Sequence, residues 1–252
     1  MTTIRDEGSG AGRPGLSINI LLITLIFSGL GFGIGAEALE GSGAAFAFVI
    51  AGWVLGLCLH AFGHALAEVR YGLPATGALT LDPLRASDPV ATMLLPVIFT
   101  ILAGLGFPGG ASPGDAAEGL SRGRRSAVAA AGPAASLGFL LALVLLYTLA
   151  TPDAEVLRAV LAVSVLFQGT ALVLGLMPIP GLDGYGILRP WLPGDWSWTD
   201  RMARHAALVL LGLFLLAGAF SRPLLRASLR LTAGLGIDLS DVITGYRLIR
   251  LW

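Results

Sequence analysis

The amino-acid sequence predicts an all-α polytopic membrane protein, with about five to six membrane helices and a short interfacial strand or re-entrant segment. Three observations carry that prediction. Of 252 residues, 55% are hydrophobic and only 13% charged, about half the charge density of a water-exposed domain. Mean hydropathy is +0.81, and several uncharged apolar runs approach the ~20 residues needed to cross the hydrocarbon. Three tryptophans, Trp191, Trp196 and Trp198, lie together in the loop 181–202, as in an interfacial aromatic belt. The formal net charge is zero, so there is no basic footprint for nucleic acid.

Residues 1–15 form a polar, Gly-rich tail. The first apolar run, 16–36, ends beside Ala36-Glu37-Ala38, a small-x-small pattern, but it is longer than a signal-peptide core of about 7–15 residues. It is expected to be a retained first helix. Runs 44–67, 126–150, 157–177 and 203–220 are the other candidate spans. Residues 77–83, Gly-Ala-Leu-Thr-Leu-Asp-Pro, alternate and stop at a proline, which predicts a short strand. Such a strand cannot face lipid, so it belongs at the interface or on a protein-walled cavity. The run 89–107 is broken by Pro96 and leads into a Gly/Pro/Ser loop at 108–123. From 221 to 252 the chain is expected to form an amphipathic segment lying on the surface, with Arg222, Arg226 and Arg230 beside Leu225 and Leu229. For 237–252 a solvated tail is the competing expectation. The membrane-embedded domain is therefore 16–220, with its core at 44–192. All sixteen basic residues are arginine, a bias of GC-rich coding sequence that points to a bacterium. The single cysteine, Cys58, excludes an internal disulfide and reads as core filler.

Chemistry concentrates at two places. The second helix carries Leu59-His60-Ala61-Phe62-Gly63-His64. Histidines four apart lie about 40° apart around a helix, so both imidazoles can meet one metal ion. The alternative is a pair hydrogen-bonded to neighbouring helices. Further on, Met177-Pro178-Ile179-Pro180-Gly181-Leu182-Asp183-Gly184 ends a helix in two prolines and places a carboxylate in the turn. Backbone freed by proline is tolerated at membrane depth only where it lines a cavity. Asp183 there would complete His/His/Asp with a fourth position open to water, the catalytic rather than structural zinc arrangement; alone it also reads as a turn residue.

Together these segments resemble the site-2 protease family of intramembrane zinc metalloproteases. Its His-Glu-x-x-His motif is matched at His60 to His64 except at Ala61, and its Pro-x-Pro-x-Leu-Asp-Gly segment by Pro178, Pro180, Leu182, Asp183 and Gly184. Ala131-Gly132-Pro133 is similar to the family's Ala-Gly-Pro segment, and 77–83 to its strand after the first motif. The resemblance covers about 55–192. It implies Zn2+ held by His60, His64 and Asp183, and hydrolysis of peptide bonds in or near transmembrane helices of substrate proteins. It also implies substrate contact at Gly77, Leu79, Thr80 and Leu81, and at Gly175. Two departures stand out. Ala61 replaces the catalytic glutamate, and Gly175 stands where the family has asparagine. A missing general base costs roughly 10²–10⁴-fold, so the expected protein is impaired or is a natural non-catalytic pseudoprotease. Glu68 lies about 6 Å further along the helix than His64 and reads as a partner of Arg70 rather than a substitute base. Asp82 and Asp88 read as loop caps, and His205 as an interfacial anchor.

A shared metal site constrains topology. The histidine end of helix 44–67 and the turn after 157–177 must lie on the same side of the membrane. Helices 126–150 and 157–177 supply two crossings, so 89–107 should not cross fully. With the N-terminus cytoplasmic, Arg70, Arg85, Arg122, Arg124 and Arg125 fall on the cytoplasmic side, while the loop 37–43 has no arginine, in accord with the positive-inside rule. A bacterial plasma-membrane location is expected. A small transporter is the remaining reading; it would show flux and no stoichiometric zinc.

Overall fold

The structure, a computed structural model, describes residues 14–74, 76–85, 93–103, 106–108, 119–193 and 218–249. Eight α-helices are present among them and no strand. They are α1 (Ile18–Gly35), α2 (Ser42–Arg70), α3 (Leu95–Ala103), α4 (Arg122–Leu149), α5 (Glu155–Gly175), α6 (Asp183–Leu188), α7 (Gly218–Gly234) and α8 (Leu239–Ile249). Four of them, α1, α2, α4 and α5, are long and apolar enough to cross a membrane. The protein is therefore an all-helical polytopic membrane protein. The span expected at 203–220 lies almost wholly outside the described residues, as do Asp88, Trp196, Trp198 and His205.

Each long helix starts where local chemistry allows. Ser17 caps α1, its Oγ accepting from the Ile20 N–H at 3.1 Å. Gly41, with φ of 94°, makes the turn into α2, a backbone state that suits glycine. The short helix α3 has nine residues and rises only about 14 Å, too little to cross a ~30 Å hydrocarbon core. Residues 89–92 and 104–105 of the run 89–107, expected not to cross fully, lie outside the described residues.

The centre of the bundle is α5. Val160, Val163, Leu166 and Leu174 are fully buried on it. α2, α4, α7 and α8 all pack against it. Gly245 of α8 lies so close to α5 that a Cβ would overlap the Ala159 carbonyl, and Tyr246 meets Phe167 edge-on at 5.7 Å. Leu224 of α7 joins Phe99, Phe107, Leu174 and Leu182 in a second apolar cluster. The chain after 221 thus lays its apolar face along α5.

The strand expected at 77–83 is not formed. Gly77–Thr80 and Pro83–Arg85 are 3-10 turns. Thr80 Oγ1 turns back to the Gly77 carbonyl at 2.8 Å, and Leu81 takes the left-handed conformation with φ of 54°, which no extended strand accommodates. Seven alternating residues are too few to outweigh these local hydrogen bonds. The carbonyls of Leu79 and Thr80 accept instead from the backbone N–H groups of Gly15 and Ser17, at 3.1 and 2.9 Å. Asn19 adds a bond to Asp82 at 3.0 Å, so the start of α1 is tied to this turn.

Candidate metal centre

Three side chains from two distant segments converge inside the bundle. His60 and His64 face inward from the second half of α2; Asp183 opens α6 just beyond α5. All three are at least 94% buried. The Nε2 atoms of the two histidines are 3.2 Å apart. One Asp183 oxygen lies 3.2 Å from His60 Nε2 and the other 3.1 Å from His64 Nε2. A tetrahedral zinc site with bonds of about 2.0–2.1 Å has ligand–ligand edges of about 3.3–3.4 Å. The donor set therefore matches zinc in chemistry and in size, and it leaves one corner without a protein donor among the described residues.

The tautomers are set by the outer nitrogens. His64 Nδ1 donates to the Val128 carbonyl of α4 at 2.8 Å, which turns the Nε2 lone pair toward the other two donors. His60 Nδ1 lies 2.9 Å from Ser136 Oγ, also on α4. Such outer partners fix ring orientation and raise ligand basicity. A metal held here requires Asp183 as the carboxylate and both imidazoles unprotonated at Nε2.

Glycines make these approaches possible. A Cβ at Gly132 would overlap the His64 imidazole at Nε2, and one at Gly63 would lie 2.5 Å from the Ala131 carbonyl. Helices α2 and α4 thus meet through small residues, the usual way membrane helices pack closely. Pro133, next to Gly132, has no N–H for the Ala129 carbonyl, which loosens α4 where His64 reaches it. At the other ligand, Pro178 and Pro180 end α5, and Gly181 turns the chain with φ of 92°. Gly184 then lets α6 abut the Leu176 and Met177 carbonyls, which any Cβ would strike.

A cavity of about 20 Å³ opens beside His60 and Asp183, enough for about one water. Gly175 lines it. A Cβ at that position would sit 3.5 Å from Pro108 and 3.8 Å from an Asp183 oxygen, both ordinary contacts. Ala61 is buried in the main apolar cluster and is not among the residues lining the cavity. His60 and Asp183 are its only titratable lining residues among those described, and Glu68 is not one of them. The turn at 77–81 is held against α1 and lies outside the cavity lining. Sequence reasoning singled out His60, His64, Asp183 and Gly175, which the structure brings together. It missed Ser136, and it saw Gly132 only as part of a motif. It also missed Trp53 and Gln168, which line the same cavity.

Fold and donor set define a polytopic membrane protein of the zinc metalloprotease class. The sequence is 42% identical over 176 residues to a Mycobacterium tuberculosis protein named "Putative zinc metalloprotease Rip2", covering 68% of each chain. It is 37% identical over 214 residues to the protein of the same name from Mycolicibacterium smegmatis, covering 82% of this chain and 81% of that one. The chain belongs to this site-2 protease family of bacterial zinc metalloproteases, whose cofactor is Zn2+. No family profile matches the chain, and no solved structure matches it.

Proposed function

We propose that this protein is an intramembrane zinc metalloprotease in which His60, His64 and Asp183 hold the metal, and that it is strongly impaired because Ala61 supplies no general base. The observation that carries the reading is the buried triangle of donors with edges of 3.1–3.2 Å. It lies between helices long and apolar enough to span a bilayer. Bound there, zinc would polarise a peptide carbonyl and lower the pKa of its water to about 7. The chain's own part is to orient and to exclude. Val128 and Ser136 fix the two imidazoles; burial among apolar helices keeps bulk water from the reacting bond and strengthens every charge interaction inside. Proton transfer from the attacking water has no acceptor besides the ligands among the described lining residues. That step is slowed by roughly 10²–10⁴-fold.

The substrates are proteins with transmembrane helices that present an unwound segment to the cavity, and the membrane is the bacterial plasma membrane. Pairing of substrate with residues 77–81 would require Gly15 and Ser17 to leave the Leu79 and Thr80 carbonyls. Ala61 itself favours a second reading, a pseudoprotease that binds transmembrane partners without cutting them.

Metal analysis of detergent-purified protein tests the first reading. About one zinc per chain is expected, and His64→Ala should abolish it. Absence of zinc under metal-replete conditions would remove the ligand assignment. Ala61→Glu then separates protease from scaffold, because a scaffold stays inert.

A further inference from the structure

Helix α5 carries three buried polar side chains between Ser164 and Thr170. Two are satisfied within the helix. Ser164 Oγ bonds the Val160 carbonyl and Thr170 Oγ1 the Leu166 carbonyl, each at 2.7 Å. The third, Gln168, is 5% exposed, with its amide set against Gly56. Opposite it on α2, the indole Nε1 of Trp53 is buried and without a hydrogen-bond partner among the described residues. Both residues line the cavity that holds His60 and Asp183.

An unmet polar group in an apolar interior costs about 1–3 kcal/mol, and here the unmet Trp53 N–H shares one small space with the Gln168 amide. Their placement follows from helix periodicity. Trp53, Gly56, Leu57 and His60 form one stripe of α2; Gln168, Ala171, Leu172 and Gly175 form one stripe of α5. The Gln168 amide lies against Gly56, where any Cβ would overlap it. That is one turn before His60, about 6 Å along the axis. An extended peptide advances about 3.3–3.6 Å per residue, so a chain lying at the metal reaches Gln168 within two residues.

We propose that Gln168 and Trp53 form a backbone-binding subsite, closed here to about 20 Å³ and widened when substrate parts the facing stripes of α2 and α5, that receives the peptide bond next but one to the scissile bond; this rests on the metalloprotease reading above. Along one edge, an extended chain presents the N–H and C=O of the same residue. A primary amide can bond both, its oxygen accepting and its NH₂ donating. The Trp53 N–H supplies a further donor to the same carbonyl. A peptide still coiled as a helix has these groups internally bonded, so the subsite selects unwound substrate. Apolar neighbours Leu57, Ala171 and Leu172 keep water from competing.

The test uses the full chain, zinc-loaded in detergent, and two chelating probes. One is acetohydroxamate, which has only the metal-binding group; the other is an N-acylated dipeptide hydroxamate, whose amides extend toward Gln168. Gln168→Met and Trp53→Phe should each weaken the dipeptide probe by at least about fivefold, the worth of one buried hydrogen bond. Acetohydroxamate affinity and zinc content should not change. The melting temperature of Gln168→Met should stay level or rise, because a buried carboxamide gives way to an apolar side chain of similar length. Equal weakening of both probes, or no change with either, would overturn the subsite, as would a lowered melting temperature with unaltered dipeptide affinity. If the unaltered chain takes up no zinc, the metal-site reading fails first, and the subsite fails with it.

Discussion

Helices α1 and α5 are nearly the same length and equally apolar, yet only 17% of α1 is buried within the protein against 67% of α5. Leu21, Leu25 and Phe32 of α1 point outward, while α5 is enclosed by α2, α4, α7 and α8. Hydropathy states that a segment avoids water. It does not state whether lipid or protein replaces the water. In a bilayer the two environments are similarly apolar, so association rests on packing and polar contacts. A residue on α5 or on the facing stripes of α2 and α4 is therefore constrained by shape, and one on the outward face of α1, such as Leu21, Leu25 or Phe32, far less.

This contrast can be broken most sharply with two glycines on α4. Gly132→Ala drives a methyl into the His64 ring, so metal content should fall from about one zinc per chain to near none, with about 1–3 kcal/mol of overpacking. Gly138→Ala, with open space at its Cβ, should keep its zinc and its melting temperature. Retention of zinc by Gly132→Ala would show that shape does not govern the site.

Ala61→Glu is expected to raise cleavage of a transmembrane reporter by roughly 10²–10⁴-fold in a reconstituted assay. An inert Ala61→Glu protein that still binds zinc would assign this face to scaffolding. Next in size is Leu166→Ala on α5, which should cost about 2 kcal/mol in detergent unfolding, because a cavity opens where the leucine is fully buried. Tyr147→Phe should cost about 1 kcal/mol. The hydroxyl donates to Asp241 at 2.6 Å and accepts from Arg158 at 2.6 Å, tying α4 and α5 to α8. Smallest of all, Leu25→Ala on α1 should change unfolding by less than about 0.5 kcal/mol. A loss comparable to that of Leu166→Ala would mean that α1 has a protein partner rather than lipid at that face.

How much of this was legible beforehand depends on the range of the interaction. The four long helices follow from local apolar runs and were read within a few residues. The His60–His64 pair is also local, set by one helical turn. Asp183 was reachable because proline, glycine and a carboxylate at a helix end form an unusual string. The parity argument for 89–107 drew on a different kind of signal, a shared site that ties distant segments to one side of the membrane. The turn at 77–83 was misread because alternation over seven residues competes poorly with Thr80 capping Gly77 and with the left-handed Leu81. Packing of α7 and α8 along α5 depends on long-range contacts that amphipathic periodicity does not specify. Gln168 carried a visible signal, a carboxamide inside an apolar span, and was overlooked because no motif surrounds it.

Gly63 and Gly132 hold no charge, donate nothing to the metal and touch no substrate, yet each occupies volume that its neighbours need. One is the imprint of a carbonyl and the other of an imidazole. A catalogue of chemically active side chains would omit both. A saturation screen for zinc retention would rank Gly132 alongside the three donors, since even the smallest added side chain intrudes on His64. The empty half of the site is thus as heritable as the filled half, and sequence variation at these two positions reports the shape of a histidine elsewhere in the chain.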